Sequence, residues 1–529
     1  MSRSPDNTDH APRALGRAVP VGVIGAGAMG AGIAQVAAAA GHRVRLFDLS
    51  EAAAARALAG IRANFARLAE KGRLSAEAAE AAGARVSLVG ALDQLADAGL
   101  IVEAAAERLD VKREIFTTLE RHVADTCILA TNTSSLSITA IAAGLRAPER
   151  VVGMHFFNPA PLMALVEIVS GLATSPETAR TIYDTATAWG KRPVHAKSTP
   201  GFIVNRVARP YYAEALRVLN EQGATPASLD AVMRDAGGFR MGPFELMDLI
   251  GHDVNFAVTE SVFRAYFNDP RYTPSLIQQE LVSAGFLGRK SGRGFYSYGE
   301  AADPPTPAIE PAHEEPGHMT LFSRGGHPRG GHPWGGPVAS LHARLAACGI
   351  PHDTADADTD ALVATFDDVA LALTDGRTAT ERAASSGRPN LVLVDLARDY
   401  AQATTIALTR ARQCSPAAYA RAVGLFQRAG FAVVTLADVP GMIVMRTVAM
   451  LINEAADAVN QGVCTPADLD LAMEKGVNYP RGPLGWADEI GVAYVHRVLA
   501  HLASGYGEDR YRVSPLLSAL RAAGQPFHA

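Results

Sequence analysis

The sequence predicts an α/β chain in which a Rossmann doubly wound parallel sheet is followed by an all-helical domain, then a degenerate Rossmann-like segment and a second copy of the helical domain. Three observations predict this. Short β-rich runs alternate with helical runs over the first 200 residues, the pattern of a parallel sheet wrapped by helices. From Ile203 to about Ala284 the apolar spacing is near 3.6 and strand-like runs vanish. Part of that helical stretch then recurs at a fixed offset of 240 residues.

Residues 1–18 are polar, with Arg13 and Arg17 but no apolar run, so a disordered lead-in is expected rather than a signal peptide. A nucleotide-binding domain follows over 19–198, with strands expected at 21–24, 44–48, 100–104, 128–131, 151–155, 165–169 and 193–196. The first helical domain, 199–298, opens at Thr199-Pro200-Gly201-Phe202 and closes on a glycine-rich hook, Gly288 to Tyr296, that carries two aromatics. Residues 299–337 are dense in Pro, Gly and His, which predicts a flexible linker with solvated histidines rather than a metal site. β/α alternation resumes weakly over 338–438, with runs at 369–373, 391–395 and 433–436 and no glycine fingerprint.

The second helical copy is expected over 439–524. Pro200-Gly201-Phe202-Ile203-Val204-Asn205-Arg206 matches Pro440-Gly441-Met442-Ile443-Val444-Met445-Arg446, and Glu214, Gly242-Pro243 and Asp248 match Glu454, Gly482-Pro483 and Asp488. One exchange stands out. Asn205 becomes Met445.

Composition excludes several functions. The 529 residues carry a net charge of -5 from 49 basic and 54 acidic residues with no basic stripe, which argues against a nucleic-acid partner. The longest small-apolar stretch, 31–40, is too short to cross a bilayer. Four scattered cysteines without a CxxC pair suit a reducing compartment and exclude a thiolate zinc site, so a cytoplasmic protein without a metal is expected.

Gly25-Ala26-Gly27-Ala28-Met29-Gly30 lies between a strand and an Ala-rich helix, the context that gives a GxGxxG turn its meaning. Gly25 permits the tight turn, Gly27 lets the backbone approach a pyrophosphate, and Gly30 lets helix and strand pack closely. The helix start at Ala28 and Met29 offers N–H groups to phosphate. Asp48 ends the second strand, where a carboxylate accepts ribose hydroxyls and repels a 2′-phosphate; NAD is therefore expected rather than NADP, with Arg43 and Arg45 as counter-evidence.

His155 ends a β-run, in position to take a hydroxyl proton while a hydride leaves. Glu167 is the sole charge in Val166-Glu167-Ile168-Val169, and a carboxylate inside an apolar strand needs a partner. The economical partner is His155, which it would orient as the acid of a triad does.

His155-Phe156-Phe157-Asn158-Pro159-Ala160-Pro161, with the glycine turn, Asn132-Thr133-Ser134-Ser135 and Thr199 to Arg206, resembles the L-3-hydroxyacyl-CoA dehydrogenases over residues 19–298. The tail is similar to that of the long bacterial 3-hydroxybutyryl/3-hydroxyadipyl-CoA dehydrogenases of phenylacetate breakdown. The resemblance implies His155 as general base, Glu167 as its partner, Ser134 and Asn205 on the substrate's 3-oxygen, and Asn158 positioning the His155 loop. It places Glu107, Lys112, Asn132 and Ser134 at the cofactor, and leaves Lys71 and Arg73 between coenzyme A phosphates and a plain solvated turn. Arg240 is open between a terminal carboxylate and a surface charge. The expected reaction is NAD-dependent oxidation of an L-3-hydroxyacyl-CoA, short-chain or dicarboxylic, to the 3-oxoacyl-CoA, with a catalytically silent second half; the expected assembly is either a homodimer or a chain pseudo-dimeric within itself. Two other readings stay open: a gulonate-type dehydrogenase and a non-catalytic, crystallin-like NAD-binding protein.

Overall fold

The computed structural model describes residues 13–299, 303–323, 336–356 and 362–528. They fall into two compact units, one running to Val204 and including Gly462–Val477, the other made of Asn205–Gln461 and Asn478–Ala529.

In the first unit, β1 (Val21–Ile24), β2 (Val44–Phe47), β3 (Val86–Val89), β4 (Leu100–Glu103), β5 (Ile128–Thr131), β6 (Val151–Phe156), β7 (Leu165–Ser170) and β8 (Arg192–Lys197) form one sheet, ordered β3-β2-β1-β4-β5-β6-β7-β8. All pairings are parallel except β6 with β7. The strand order turns back beside β1, the place where open α/β sheets bind ligands at the carboxyl ends of their strands. Each strand expected in this unit forms. β3 was not foreseen, because Val86-Ser87-Leu88-Val89 is an edge strand with Ser87 and Leu88 exposed and no continuous apolar run.

Around the sheet lie α1 (Ala28–Ala39), α2 (Glu51–Glu70), α3 (Ala76–Ala84), α4 (Leu109–Leu119), α5 (Ile138–Ala142) and α6 (Pro176–Ala188). The buried face of α1 is built from small and branched side chains such as Gly30, Ile33, Ala34 and Ala37, so the helix sits close on the sheet. Ser50, Ser75, Ser137 and Ser175 accept first-turn N–H bonds at the starts of α2, α3, α5 and α6. The lead-in expected to be disordered lies outside the described residues up to residue 12. Its end is fixed: Arg13 N–H donates to Asp184 (2.9 Å) and Leu15 N–H to Thr185 (3.0 Å).

α7 (Val204–Val207) begins on the last residue of the first unit's main stretch, and the second unit continues with α8 (Arg209–Asn220), α9 (Pro226–Asp235), α10 (Pro243–Ile250), α11 (His252–Ala265) and α12 (Leu276–Ser283). The hook is anchored by buried Asp248, which accepts N–H bonds from Phe295 (2.9 Å) and Tyr296 (3.0 Å). A seven-stranded sheet follows, ordered β10-β9-β11-β12-β13-β14-β15, from β9 (Met319–Ser323), β10 (His352–Asp356), β11 (Leu362–Phe366), β12 (Val369–Leu373), β13 (Leu391–Val394), β14 (Thr405–Arg410) and β15 (Ala432–Thr435). Only β12, β13 and β15 were expected. Helices α13 (Gly336–Ala346), α14 (Ala379–Ser386) and α15 (Pro416–Arg428) accompany this sheet, and α16 (Val444–Asn460) begins the second helical copy.

The stretch expected to be a flexible linker is, where described, part of this unit. Ala308 N–H donates to Ser228 (2.9 Å), Glu310 N–H to the Val433 carbonyl (2.9 Å), and residues 319–323 are a sheet strand. Composition failed here because the segment is held by hydrogen bonds to distant residues and buries Met319 and Leu321 in a strand whose partners lie elsewhere in the sequence. The two His-Pro near-repeats lie outside the described residues, and among the described residues no group of His, Cys, Asp or Glu is placed to hold a metal.

The last helices, α17 (Pro466–Gly476), α18 (Pro483–Ile490), α19 (Val492–Tyr506) and α20 (Pro515–Ala523), include one exception to the expected domain grouping. α17 belongs to the first unit, where Lys197 N–H donates to the Val463 carbonyl at 2.9 Å. In the second unit Ala437 N–H donates to the Gly223 carbonyl at 2.8 Å, and these are the same two positions shifted by 240. Each sheet thus pairs with the helical copy that follows the other one in sequence.

The repeat also reaches further back than residue 200. β6, β7, β8 and α6 recur as β13, β14, β15 and α15 at the same offset of 240, with the same antiparallel-then-parallel pairing.

Candidate active site

The glycine turn has the geometry its spacing predicts. Gly25 has φ +98°, and a Cβ there would stand 2.5 Å from the Ala104 carbonyl oxygen; at Gly30 it would stand 1.8 Å from that of Gly25. At Gly27 it would meet nothing within 4 Å, so this face of the turn is open to a ligand. The start of α1 has no side-chain cap, unlike its four serine-capped neighbours. The N–H groups of Ala28, Met29 and Gly30 are left for an anion. These features fit a dinucleotide pyrophosphate.

Asp48 accepts N–H bonds from Ala26 (2.7 Å) and Ser50 (2.8 Å), which fix its carboxylate beside the turn. Arg45 is committed to Asp97 (2.6 Å), and Arg43 is exposed.

At the ends of β4 and β5 lies a polar cluster only partly foreseen. Glu107 accepts from the Thr133 hydroxyl (2.6 Å), the Ser135 hydroxyl (3.1 Å) and the Ser134 N–H (3.0 Å). Burial alone would raise its pKa, but Thr133, the Lys112 charge and Ser134 outweigh it and hold the carboxyl below its ordinary range. Lys112 is buried, donating to both oxygens of Glu103 (2.8 and 3.0 Å) and lying 3.3 Å from Glu107. Its ammonium is thereby held between the two carboxylates beside the end of β4. Glu103 was missed, although it is the lone acid ending Leu100-Ile101-Val102-Glu103, the same signal that singled out Glu167.

His155 and Glu167 are directly opposite each other on antiparallel β6 and β7. His155 Nδ1 lies 2.6 Å from Glu167 Oε2, and both residues are buried. The other carboxylate oxygen, Oε1, accepts the N–H groups of Ile203 and Val204 at 3.0 Å each. Glu167 therefore holds the imidazole and the start of α7 at once. With Nδ1–H donated to a carboxylate, Nε2 is the nitrogen left to accept a proton. Phe157 and Phe202 flank the ring at 4.5 and 5.9 Å between centroids.

Asn132 Oδ1 accepts the Phe156 N–H at 2.8 Å and fixes the end of β6. Asn158, expected to position that loop, is exposed and makes no side-chain hydrogen bond among the described residues; a polar residue at a loop tip is satisfied by solvent. Ser134 Oγ lies 3.5 Å from Glu107 Oε1, and Asn205 follows directly on the Val204 tied to Glu167. Lys71 and Arg73 are exposed at the turn between α2 and α3, and Arg240 is exposed as well.

The second half shows this arrangement without the histidine. At the shifted positions of His155 and Glu167 stand Asp395 and Ala407. Asp395 Oδ2 accepts the Ile443 (3.0 Å) and Val444 (2.8 Å) N–H groups, the counterparts of Ile203 and Val204. A carboxylate at the histidine position now holds the helix start. The first turn of α14, which follows β12, is likewise filled by Asp438, which accepts from Ala379 (2.6 Å) and Thr380 (2.8 Å).

Comparison with known proteins agrees with this geometry. Residues 20–199 match the family model described as 3-hydroxyacyl-CoA dehydrogenase, NAD binding domain, and residues 201–298 and 441–527 each match that of its C-terminal domain. The chain belongs to the 3-hydroxyacyl-CoA dehydrogenase family. Residues 371–440 match a model described as 3-hydroxybutyryl-CoA dehydrogenase reduced Rossmann-fold domain. The dehydrogenase is 45% identical over 497 residues to the 3-hydroxyadipyl-CoA dehydrogenase of Escherichia coli (strain K12), covering 94% of this chain and 96% of the relative. A probable 3-hydroxybutyryl-CoA dehydrogenase of Bacillus subtilis is 44% identical over 278 residues, covering 53% of this chain and 96% of that one. Among solved structures, 3-hydroxybutyryl-CoA dehydrogenase from Escherichia coli K12 substr. MG1655 superposes with a TM-score of 0.86 at 43% identity, covering 96% of this chain and 99% of that one. The chain is an NAD-dependent 3-hydroxyacyl-CoA dehydrogenase, which sets aside the gulonate-type and crystallin-like readings.

Proposed function

We propose that the dehydrogenase oxidises a short-chain or dicarboxylic L-3-hydroxyacyl-CoA to the 3-oxoacyl-CoA, with one active site in the first half of the chain. The observation that carries this reading is the buried His155–Glu167 pair, 2.6 Å apart on neighbouring strands of the sheet that holds the open glycine turn. His155 Nε2 takes the proton of the 3-hydroxyl, and Glu167 stabilises the imidazolium that forms. Ser134 and Asn205 donate to the 3-oxygen. Gly25, Gly27, Ala28, Met29 and Gly30 cradle the pyrophosphate of NAD, Asp48 takes a ribose, and Glu107 takes the second ribose with Lys112 holding it in place. Asn132 positions the strand end beside the cofactor. When bound, NAD supplies the acceptor for the hydride leaving C3. Lys71 and Arg73 meet the coenzyme A phosphates.

The relatives' names support a four-carbon or a six-carbon dicarboxylic substrate, and those of phenylacetate breakdown are the model for the latter. No helix among the described residues is long and apolar enough to cross a membrane, and the described cysteines are all free, which supports a cytoplasmic place. The second half is silent because Asp395 and Ala407 replace the base and its partner. Its role is to make the chain pseudo-dimeric within itself.

Initial rates on 3-hydroxybutyryl-, 3-hydroxyhexanoyl- and 3-hydroxyadipyl-CoA with NAD and NADP test this. Turnover with NAD and little with NADP is expected; absence of turnover on all three would overturn the reading.

A further inference from the structure

In the second unit a cavity of about 270 Å³ opens along α8, where Arg209, Tyr212 and Leu216 face Thr259 of α11 and the start of α12. No Asp or Glu lines it, although three arginines do. Two of these are neutralised: Arg510 lies 2.8 Å from Glu214 and Arg217 lies 2.8 Å from Glu508.

Arg209 differs. It is 6% exposed and has no carboxylate within ion-pair distance among the described residues. Its Nε donates to the Asn205 carbonyl (2.9 Å) and Nη1 to the Thr259 hydroxyl (3.1 Å), while Nη2 makes no hydrogen bond among the described residues. Burial pulls its pKa down, opposed only by Tyr212 and Tyr479. A desolvated cation without a counter-charge is costly, and a bound anion relieves that cost. The same cavity presents apolar surface from Tyr212, Leu216 and Leu276, which suits a short methylene chain.

We propose that Arg209 receives the terminal carboxylate of a dicarboxylic 3-hydroxyacyl chain and is a specificity-determining residue of the dehydrogenase. This rests on the reading above in which Asn205 meets the 3-oxygen. Arg209 lies about one helical turn beyond Asn205, roughly 5.4 Å of rise. In a 3-hydroxyadipyl chain three C–C bonds separate C3 from the terminal carboxyl carbon, a span of comparable length. Arg240, the other candidate in the sequence, is exposed and outside this cavity.

The test compares kcat/KM for 3-hydroxyadipyl-CoA and 3-hydroxyhexanoyl-CoA, which share a six-carbon skeleton and differ in ending on a carboxylate or a methyl. It uses the full-length wild type, Arg209→Met and Arg209→Lys, with thermal unfolding of each. In Arg209→Met the adipyl-to-hexanoyl ratio is expected to fall about 10- to 100-fold, through KM rather than kcat, with part of the loss recovered in Arg209→Lys. An unchanged ratio overturns the proposal, and so does an equal fall on both substrates, which would point to a coenzyme A phosphate or to damage to the fold. The wild type gives an answer without any variant: a KM for 3-hydroxyadipyl-CoA equal to or above that for 3-hydroxyhexanoyl-CoA overturns the proposal while leaving the dehydrogenase reading intact. No turnover on either substrate would remove the dehydrogenase reading and this inference with it.

Discussion

Arg446 Nε donates to Glu214 Oε2 at 2.8 Å, joining two fully buried side chains 232 residues apart in sequence. Shifted by 240, the same positions make the reciprocal bond, Arg206 Nε to Glu454 Oε1 at 2.5 Å. Each glutamate is completed by an arginine and a tyrosine of the other copy: Arg510 and Tyr511 on Glu214, Arg271 and Tyr272 on Glu454. Every partner is charged or donates a hydrogen bond, so neither carboxylate is left unsatisfied in the core. The two helical copies therefore hold each other as partners do in a symmetric dimer.

Removing one member leaves buried charge without compensation. Glu214→Ala is expected to lower unfolding stability by about 3–5 kcal/mol, measured by urea denaturation, because Arg446 and Arg510 lose their counter-charge. Adding Arg446→Met to that variant should cost less than the sum of the two single changes. Strict additivity would mean that the pair is not coupled.

The same carboxylate sets an acid limit. Burial would raise the Glu214 pKa, but Arg510 and Arg446 pull it from its ordinary 4.5 down to about 2. Because the folded chain keeps this group ionised, its stabilisation is present above about pH 4.5 and is lost as pH falls through about 2. Stability measured from pH 5 to pH 2 should fall less steeply in Glu214→Gln than in the wild type. Parallel curves would show that Glu214 does not carry the acid sensitivity.

Glu167 joins two functions, and in the second half only one of them remains, on Asp395 at the position of His155. Glu167→Ala should reduce kcat and also lower stability by about 1–3 kcal/mol, since the Ile203 and Val204 N–H groups lose their acceptor. Asp395→Ala should lower stability by a similar amount through Ile443 and Val444, with kcat retained. Loss of kcat in Asp395→Ala would place chemistry in the second half.

Asp48 should set cofactor choice. Asp48→Ala is expected to raise the KM for NAD about 10-fold or more and to narrow the NAD-over-NADP preference, read from initial rates with each cofactor. An unchanged preference would mean that another group discriminates.

Much of the site was legible because its chemistry uses local patterns. A glycine turn between strand and helix, and a lone acid inside an apolar strand, each carry their reason in adjacent residues. Glu103 carried the same signal and was passed over. The unread part of the fold depends on distant partners. Strand β14, Thr405-Ile406-Ala407-Leu408-Thr409-Arg410, has too little apolar contrast to stand out, yet it forms beside β13 and β15. Ser175-Pro176 and Ser415-Pro416, at the offset of 240, would have extended the repeat back through the sheet. That extension aligns His155 with Asp395, which no local pattern reveals. The described part of 299–337 is not the linker its composition predicts, because the bonds from Glu310 N–H to the Val433 carbonyl and from Ala308 N–H to the Ser228 hydroxyl leave no trace in composition.

A single active site rests on His155 as its base. Its most direct test is kcat for 3-hydroxybutyryl-CoA oxidation by NAD in full-length His155→Ala, with thermal unfolding alongside. A fall of about 10²- to 10⁴-fold in a folded protein is predicted. Wild-type kcat in that variant would contradict the claim.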